Sequence, residues 1–221
     1  GYIYYYHADF NVGYAAGTFH LMNHAFFKAL LFLSAGAVIH AAHTEDMRLM
    51  GGLSKKLKIT SLVMLIGCIS IAGIPPFSGF WSKDLVLEAA FEGIQYNGLF
   101  ILLYAFGLIT AFLTAFYMFR LWFLTFAGKP RDQHTYDHAH EAPKVMWVPL
   151  AILAVLAFGS GFAFLMGFES VLVPGLEGFV PHEASAVDLL VAVFTNILTY
   201  ASILAAVLGI GLAYLVYYKG T

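Results

Sequence analysis

The 221-residue chain has little charge and almost no cysteine. Asp, Glu, Lys and Arg together make up 11% of it, against about 25% in soluble globular chains. Such scarcity, beside 61% hydrophobic residues, excludes an ordinary water-soluble domain and a disordered chain. Cys68 is alone, so no disulfide forms within the chain, and its apolar neighbours read as packing around an inert thiol. A net charge of −2 without a basic run leaves nothing to hold phosphates, which excludes a nucleic-acid binder. No repeat of short fixed period occurs, and no flavin, nucleotide or iron–sulfur motif. What is present is apolar residue after apolar residue, with a mean hydropathy of +0.80. This is the composition of a helical membrane protein.

Crossing a hydrocarbon core of about 30 Å takes about 20 apolar residues in a helix. Four uninterrupted runs qualify: 17–42, 98–126, 145–167 and 187–217. A fifth, 59–94, is punctuated by Gly73-Ile74-Pro75-Pro76 and Gly79. Prolines remove backbone donors and push the preceding residue out of helical geometry. The sequence therefore predicts two half-helices there, about 59–73 and 82–94, joined by extended backbone. The runs are too long, and too little alternating, for membrane strands. The expected fold is an all-α membrane protein of five transmembrane segments, the second discontinuous. Residues 1–16, with the cluster Gly1-Tyr2-Ile3-Tyr4-Tyr5-Tyr6, read as an aromatic lead-in at the interface rather than a signal peptide. The chain is expected to be a piece of a longer protein.

Basic residues test this topology. Arg48, Lys55, Lys56 and Lys58 lie between the first and second segments, and Lys129, Arg131 and Lys144 between the third and fourth. Lys219 follows the fifth, and the loops 1–16, 95–97 and 168–186 have no Lys or Arg. By the positive-inside rule, 43–58, 127–144 and the C-terminal end face the cytoplasm or its equivalent.

The remaining basic residues, Lys28, Lys83 and Arg120, fall within spans, where ionisable groups are costly and suggest function. His20, His24 and Lys28 recur every four residues, a polar line about 12 Å long on an apolar helix. Such groups can merely satisfy neighbouring polar atoms and pack the bundle. Three aligned titratable side chains also have the chemistry of a proton relay. A metal is the poorer reading, because His20-Leu21-Met22-Asn23-His24 lacks the glutamate of zinc proteases and leads to a cationic lysine. Lys83 and Asp84 follow the Pro-Pro break, with Ser82 as candidate N-cap. They lie either at the outer interface or in a polar cavity formed by a broken helix. Glu88, one turn beyond Asp84, can face the same cavity. Arg120 reads as snorkelling to the interface. His40 and His43 end the first span, and His134, His138 and His140 sit in a loop that reads as a solvated connector.

The segment from Phe19 to Leu33, FHLMNHAFFKALLFL, resembles the signature of the antiporter-like proton-translocating subunits of respiratory complex I, and among them the subunit L type. The resemblance continues through Gly36–His40, Met50–Leu53, Gly73–Asp84 (GIPPFSGFWSKD), Thr114–Arg120 and His138–Pro143. It implies a portion of an antiporter-like inverted-repeat fold, with 17–142 as the second half of the proton-channel repeat and 143–221 as additional C-terminal helices. It implies proton translocation driven by quinone reduction elsewhere in the complex. Lys28 would be the central channel residue with His20 and His24 alongside, and Lys83, partnered by Asp84, would serve the exit half-channel. Flavin and iron–sulfur centres would belong to other subunits, leaving no cofactor and no metal in this chain. Partners would be the other membrane subunits of the complex, neighbouring antiporter-like subunits above all, and the lipid bilayer. Placement in a bacterial plasma membrane is expected. The alternatives are the large subunit of an Mrp-type cation/proton antiporter or a membrane-hydrogenase pump subunit, and, from another class, a structural membrane scaffold.

Overall fold

A computed structural model describes residues 10–166 and 186–219. The expectations for most of the aromatic lead-in and for the loop 168–186 fall largely outside those residues. All regular structure among the described residues is helical. The helices are α1 (Phe10–Ala42), α2 (Lys58–Ala72), α3 (Ser78–Glu92), α4 (Phe100–Phe126), α5 (Gln133–His138), α6 (Lys144–Gly159), α7 (Ala186–Thr195) and α8 (Ile197–Tyr214). A short 3-10 helix extends α6 over Ser160–Met166, and a wider π-helical turn extends α8 over Leu215–Lys219. Four stretches are long and apolar enough to cross a membrane: Gly13–Ala42, Phe100–Phe126, Lys144–Ala163 and Ile197–Lys219.

Between the first and second of these lie two shorter helices separated by residues 73–77. α2 ends at Gly73, whose left-handed φ of 79° lets its N–H and that of Ile74 return to the carbonyls of Ser70 and Ile69. α3 then starts at Ser78, not near residue 82, so Ser82 lies inside the helix and is not its N-cap. Gly79 was read as part of the interruption. It is instead the point of closest approach between the two helices, because a Cβ there would overlap the Ser70 carbonyl oxygen. The indole of Trp81 anchors the turn by donating to the Pro76 carbonyl at 2.9 Å.

α2 and α3 run consecutively along α1 in the opposite direction. Gly67 of α2 sits on Leu30 and Leu31, Gly79 of α3 sits on Phe27, and Ser82 reaches His20. Further along, Ala16 and Phe19 pack with Phe80, Trp81 and Leu85. As α1 is followed backward, its partners advance from α2 into α3. The break therefore lies level with the middle of α1, close to Lys28. α1 also begins earlier than residue 17, since Ala15 and Ala16 are buried and continue the packed face.

α4 and α8 pair through small residues. Ala206, Gly209 and Ala213 are buried on α8 and Ala111 and Ala115 on α4, and a Cβ at Gly209 would meet the Phe112 carbonyl and Ala115. Small side chains let membrane helices approach closely where lipid supplies no hydrophobic drive for association. The run 187–217 is not one helix: Asn196 interrupts it in extended conformation, its side chain accepting from the Leu198 N–H at 3.0 Å. An Asx cap starts a new helix even in apolar sequence.

The two basic loops meet at one end of the bundle. The Gly52 N–H donates to Ala127 O at 2.8 Å, and Arg131 Nη1 donates to Met50 O at 3.2 Å. Glu141, in the loop read as a solvated connector, reaches the start of α2. It accepts from the Ile59 N–H at 2.7 Å, from the Thr60 N–H at 3.3 Å and from the Thr60 hydroxyl. These donors have no partner within the helix, and the positive end of the helix dipole favours a carboxylate beside them. Within the same loops, hydrogen bonds from Arg48 hold the Asp46 carboxyl below its usual range, and hydrogen bonds from Thr135 do so for Asp132.

Candidate proton-transfer site

The site grows from the stripe on α1. Positions four apart on an α-helix advance by about 6 Å and drift by about 40°. Two such steps turn the stripe from an interior face to an outer one. His20 accordingly lies half-buried against α3, its Nδ1 3.0 Å from the Ser82 hydroxyl. The His24 ring follows, 5.9 Å from that of His20 and edge-on to Phe27. Lys28 emerges on the exposed side of α1, with no hydrogen-bond or ion-pair partner among the described residues. Asn23, fully buried between these positions, accepts from the Ser160 hydroxyl at 2.5 Å and ties α1 to the end of α6.

Ser82 is the hinge between the stripe and the broken region. Its hydroxyl bonds to the Ser78 carbonyl at 3.2 Å as well as to His20. The hydroxyl can give one proton and accept another, so it joins His20 to the helix that bears Lys83. Sequence reading treated this serine as a cap and missed the link, because the contact is between residues 62 apart in the chain.

Lys83 turns back across the break. Its Nζ donates to the Ile71 carbonyl at 2.8 Å, in the last turn of α2. Final-turn carbonyls of a helix lack backbone donors and form the negative end of its dipole. An ammonium is favoured there. Reading Lys83 as starting the second half-helix placed it at a positive end; the long side chain reaches the opposite pole instead. Gly73 makes the room, since a Cβ there would stand 3.3 Å from Lys83 Cδ and 3.4 Å from Nζ.

Asp84 points away from Lys83. Its carboxylate is buried against α8, where Ser202 donates to Oδ1 at 3.0 Å and Thr199 donates to Oδ2. The expected Lys83–Asp84 partnership is thus one of sequence position, not contact; the ion pair found among the described residues is Arg48–Asp46. One turn on, Glu88 Oε1 accepts from Asn196 Nδ2 at 2.8 Å. The start of α8 thus offers Asn196, Thr199 and Ser202 to the two acids of α3. Nothing in the hydropathy of 187–217 indicated this; the spacing of three between the polar residues was the available signal.

Arg120 lies over the Tyr217 ring at 5.4 Å, an anchor between α4 and the last turns of α8. His134 and His138 stack at 4.3 Å in α5, and no group of three or more His, Cys, Asp or Glu side chains gathers around a common point among the described residues.

The sequence of this helical bundle has counterparts among known proteins. Residues 2–124 match the family described as NADH:quinone oxidoreductase/Mrp antiporter, transmembrane. The chain is 46% identical over 171 residues to the NAD(P)H-quinone oxidoreductase chain 5 of Picosynechococcus, a match covering 65% of this chain and 25% of that protein. It is 48% identical over 160 residues to the F(420)H(2) dehydrogenase subunit L of Methanosarcina mazei, covering 70% and 23%. The NADH-quinone oxidoreductase subunit L of Rickettsia bellii is 49% identical over 149 residues, covering 67% and 22%. The chain spans about a quarter of the length of these relatives. With more than half its length matched, it is an integral membrane protein that belongs to the NADH:quinone oxidoreductase/Mrp antiporter transmembrane family.

Proposed function

We propose that this chain moves protons across an energy-transducing membrane as part of a NADH:quinone oxidoreductase. The observation that carries the reading is the bond from His20 to Ser82, which connects the α1 stripe to the broken region. In this reading α2 and α3 form a single discontinuous crossing, giving five transmembrane segments, and 17–142 is the second half of an antiporter-like inverted repeat. Each of the two 15-residue helices is about 22 Å long, short of the ~30 Å core, so neither crosses alone.

Protons load at Lys28, pass along His24 and His20 with bridging water, and reach Lys83 through the Ser82 hydroxyl. Asp84 and Glu88 on the α8 side receive the outgoing proton. The Ile71 carbonyl holds the Lys83 amine at the break, and a proton leaves when that contact is broken. Lys28 is exposed in this chain, so at mid-membrane depth it requires cover from another segment or subunit. The partners of the proposed assembly are neighbouring antiporter-like subunits and lipid. The redox cofactors belong to other subunits, the membrane is a bacterial plasma membrane, and 43–58 and 127–144 face the cytoplasm.

The test replaces Lys28 or Lys83 by alanine in the assembled complex and measures proton pumping alongside NADH:quinone turnover. Each variant is expected to lose most pumping. Full pumping in both would remove the site assignment. The Mrp-type reading differs in expecting sodium-dependent transport, and a scaffold predicts no loss in a His20/His24/Lys28 triple alanine variant.

A further inference from the structure

A cleft of about 1090 Å³ opens between α4, the end of α8 and the two basic loops, far from the polar file. Its rim presents Lys55, Lys129 and Arg131, and its wall presents Trp122, Tyr214 and Tyr218. Among the described residues no acidic side chain lines it. Lys55 and Lys129 are exposed and have no partner among the described residues, so their ammonium groups are available to a ligand. Arg131 is held rigidly, its Nη1 donating to Leu124 O at 2.6 Å and Met50 O at 3.2 Å, which fixes the guanidinium plane at the rim. Trp122 is also oriented, its indole N–H donating to Ser61 O at 3.3 Å. Tyr214 and Tyr218 stack at 5.1 Å.

Three cations above an aromatic wall, at the basic end of membrane-spanning helices, match one chemistry. We propose that this cleft binds the phosphate headgroup of an anionic membrane phospholipid. Lys55 and Lys129 neutralise the phosphate, and Arg131 donates to its oxygens in fork geometry. The tyrosines and Trp122 sit at headgroup depth, as amphipathic rings do at membrane interfaces. Below them Gly211, Val207 and Leu204 lie three to four residues apart on α8 and are exposed, leaving an apolar track for an acyl chain. Basic clefts between helices on the cytoplasmic side are a recurrent form of headgroup site. The lipid would also brace the α4–α8 pair against the loop that positions Glu141.

The test uses the assembled membrane complex, purified in mild detergent, with phosphatidylglycerol and phosphatidylcholine offered in equal amounts and bound lipid counted by native mass spectrometry. The variant is Lys55→Gln/Lys129→Gln, and Lys144→Gln, at the same end but outside the cleft, is the control. The wild type and the control are expected to retain an anionic lipid that the double variant loses, with proton pumping unchanged when lipid is in excess. Affinity should fall about fivefold for each lysine, the factor corresponding to about 1 kcal/mol. Equal retention of phosphatidylcholine by the wild type overturns the proposal, as does undiminished phosphatidylglycerol in the double variant. Protection by inorganic phosphate alone, without lipid retention, overturns the lipid assignment. A double variant that fails to assemble is replaced by the single substitutions, read the same way. Loss of lipid with intact pumping leaves the proton-transfer reading standing.

Discussion

Lys83 and Asp84, adjacent in sequence, serve opposite flanks of α3: the ammonium donates to Ile71 O of α2 at 2.8 Å, while the carboxylate accepts from Ser202 of α8 at 3.0 Å. Successive residues on a helix are separated by about 100°, which lets Lys83 and Asp84 take different flanks. The two side chains are held apart by the helix that bears both, each with hydrogen-bond partners of its own. Under the proposed function, a proton passing between them needs a path around α3, not a jump within an ion pair.

Removing the partners of Asp84 tests that separation. Thr199→Val/Ser202→Ala keeps side-chain volume nearly constant and deletes both hydroxyl donors. Hydrogen bonds to a charged group are worth about 1.5–3 kcal/mol each. The carboxyl group is left buried without its donors, and under the proposed function pumping per quinone reduced should fall severalfold. Assembly of the complex, checked by native gel, should persist. An unchanged pumping ratio would show that the α8 hydroxyls do not take part.

Ser82→Ala examines the bridge between the stripe and the break. His20 loses its partner 3.0 Å away, while the small buried site, which is fully enclosed, tolerates the methyl group. Pumping should drop in Ser82→Ala and recover in Ser82→Thr, which restores the hydroxyl. Equal loss in both variants would point to packing instead of proton passage.

Much of this site was legible in the sequence because charge is so scarce. His20, His24, Lys28 and Lys83 stand out against apolar neighbours, and the helix period places the first three along one line. The proline pair gave the break its position to within a few residues. Two kinds of feature escaped. Hydroxyl and amide partners such as Ser82, Asn196, Thr199 and Ser202 look like ordinary tolerated polar residues until tertiary contact brings them to a titrating group. The start of α3 escaped because Gly79 reads as a helix breaker, whereas its role is close packing against the Ser70 carbonyl. Local propensity cannot distinguish a glycine that ends a helix from one that lets two helices touch.

That distinction is measurable with two alanines. Gly79→Ala drives a methyl group into backbone, which cannot yield as a flexible side chain can. Overpacking of this kind costs about 1–3 kcal/mol or more, so the variant should lower the thermal midpoint of the complex or prevent its assembly. Gly36→Ala, on α1 with nothing within 4 Å, should be neutral or stabilising by up to about 1 kcal/mol. A Gly79→Ala complex as stable as the wild type would contradict the α2–α3 contact.

Glu141 gives the remaining prediction, which concerns stability and not transport. Its carboxylate is joined to the Ile59 N–H at 2.7 Å and to Thr60, a contact across 82 residues that sets the start of α2 against the loop before α6. Glu141→Ala strands the first N–H groups of α2 and removes a negative charge from the positive end of the helix. The cost should be about 1–2 kcal/mol, in the range of a lost N-cap with its dipole contribution. Glu141→Gln keeps an acceptor oxygen and loses only the charge, so it should fall between wild type and alanine. Hydrogen exchange reads this directly: the amides of Ile59 and Thr60 should exchange faster in the order wild type, glutamine, alanine. Those of Leu65 and Ile66, deeper in α2, should change little. If the Ile59 and Thr60 amides exchange at one rate in all three proteins, Glu141 does not cap α2.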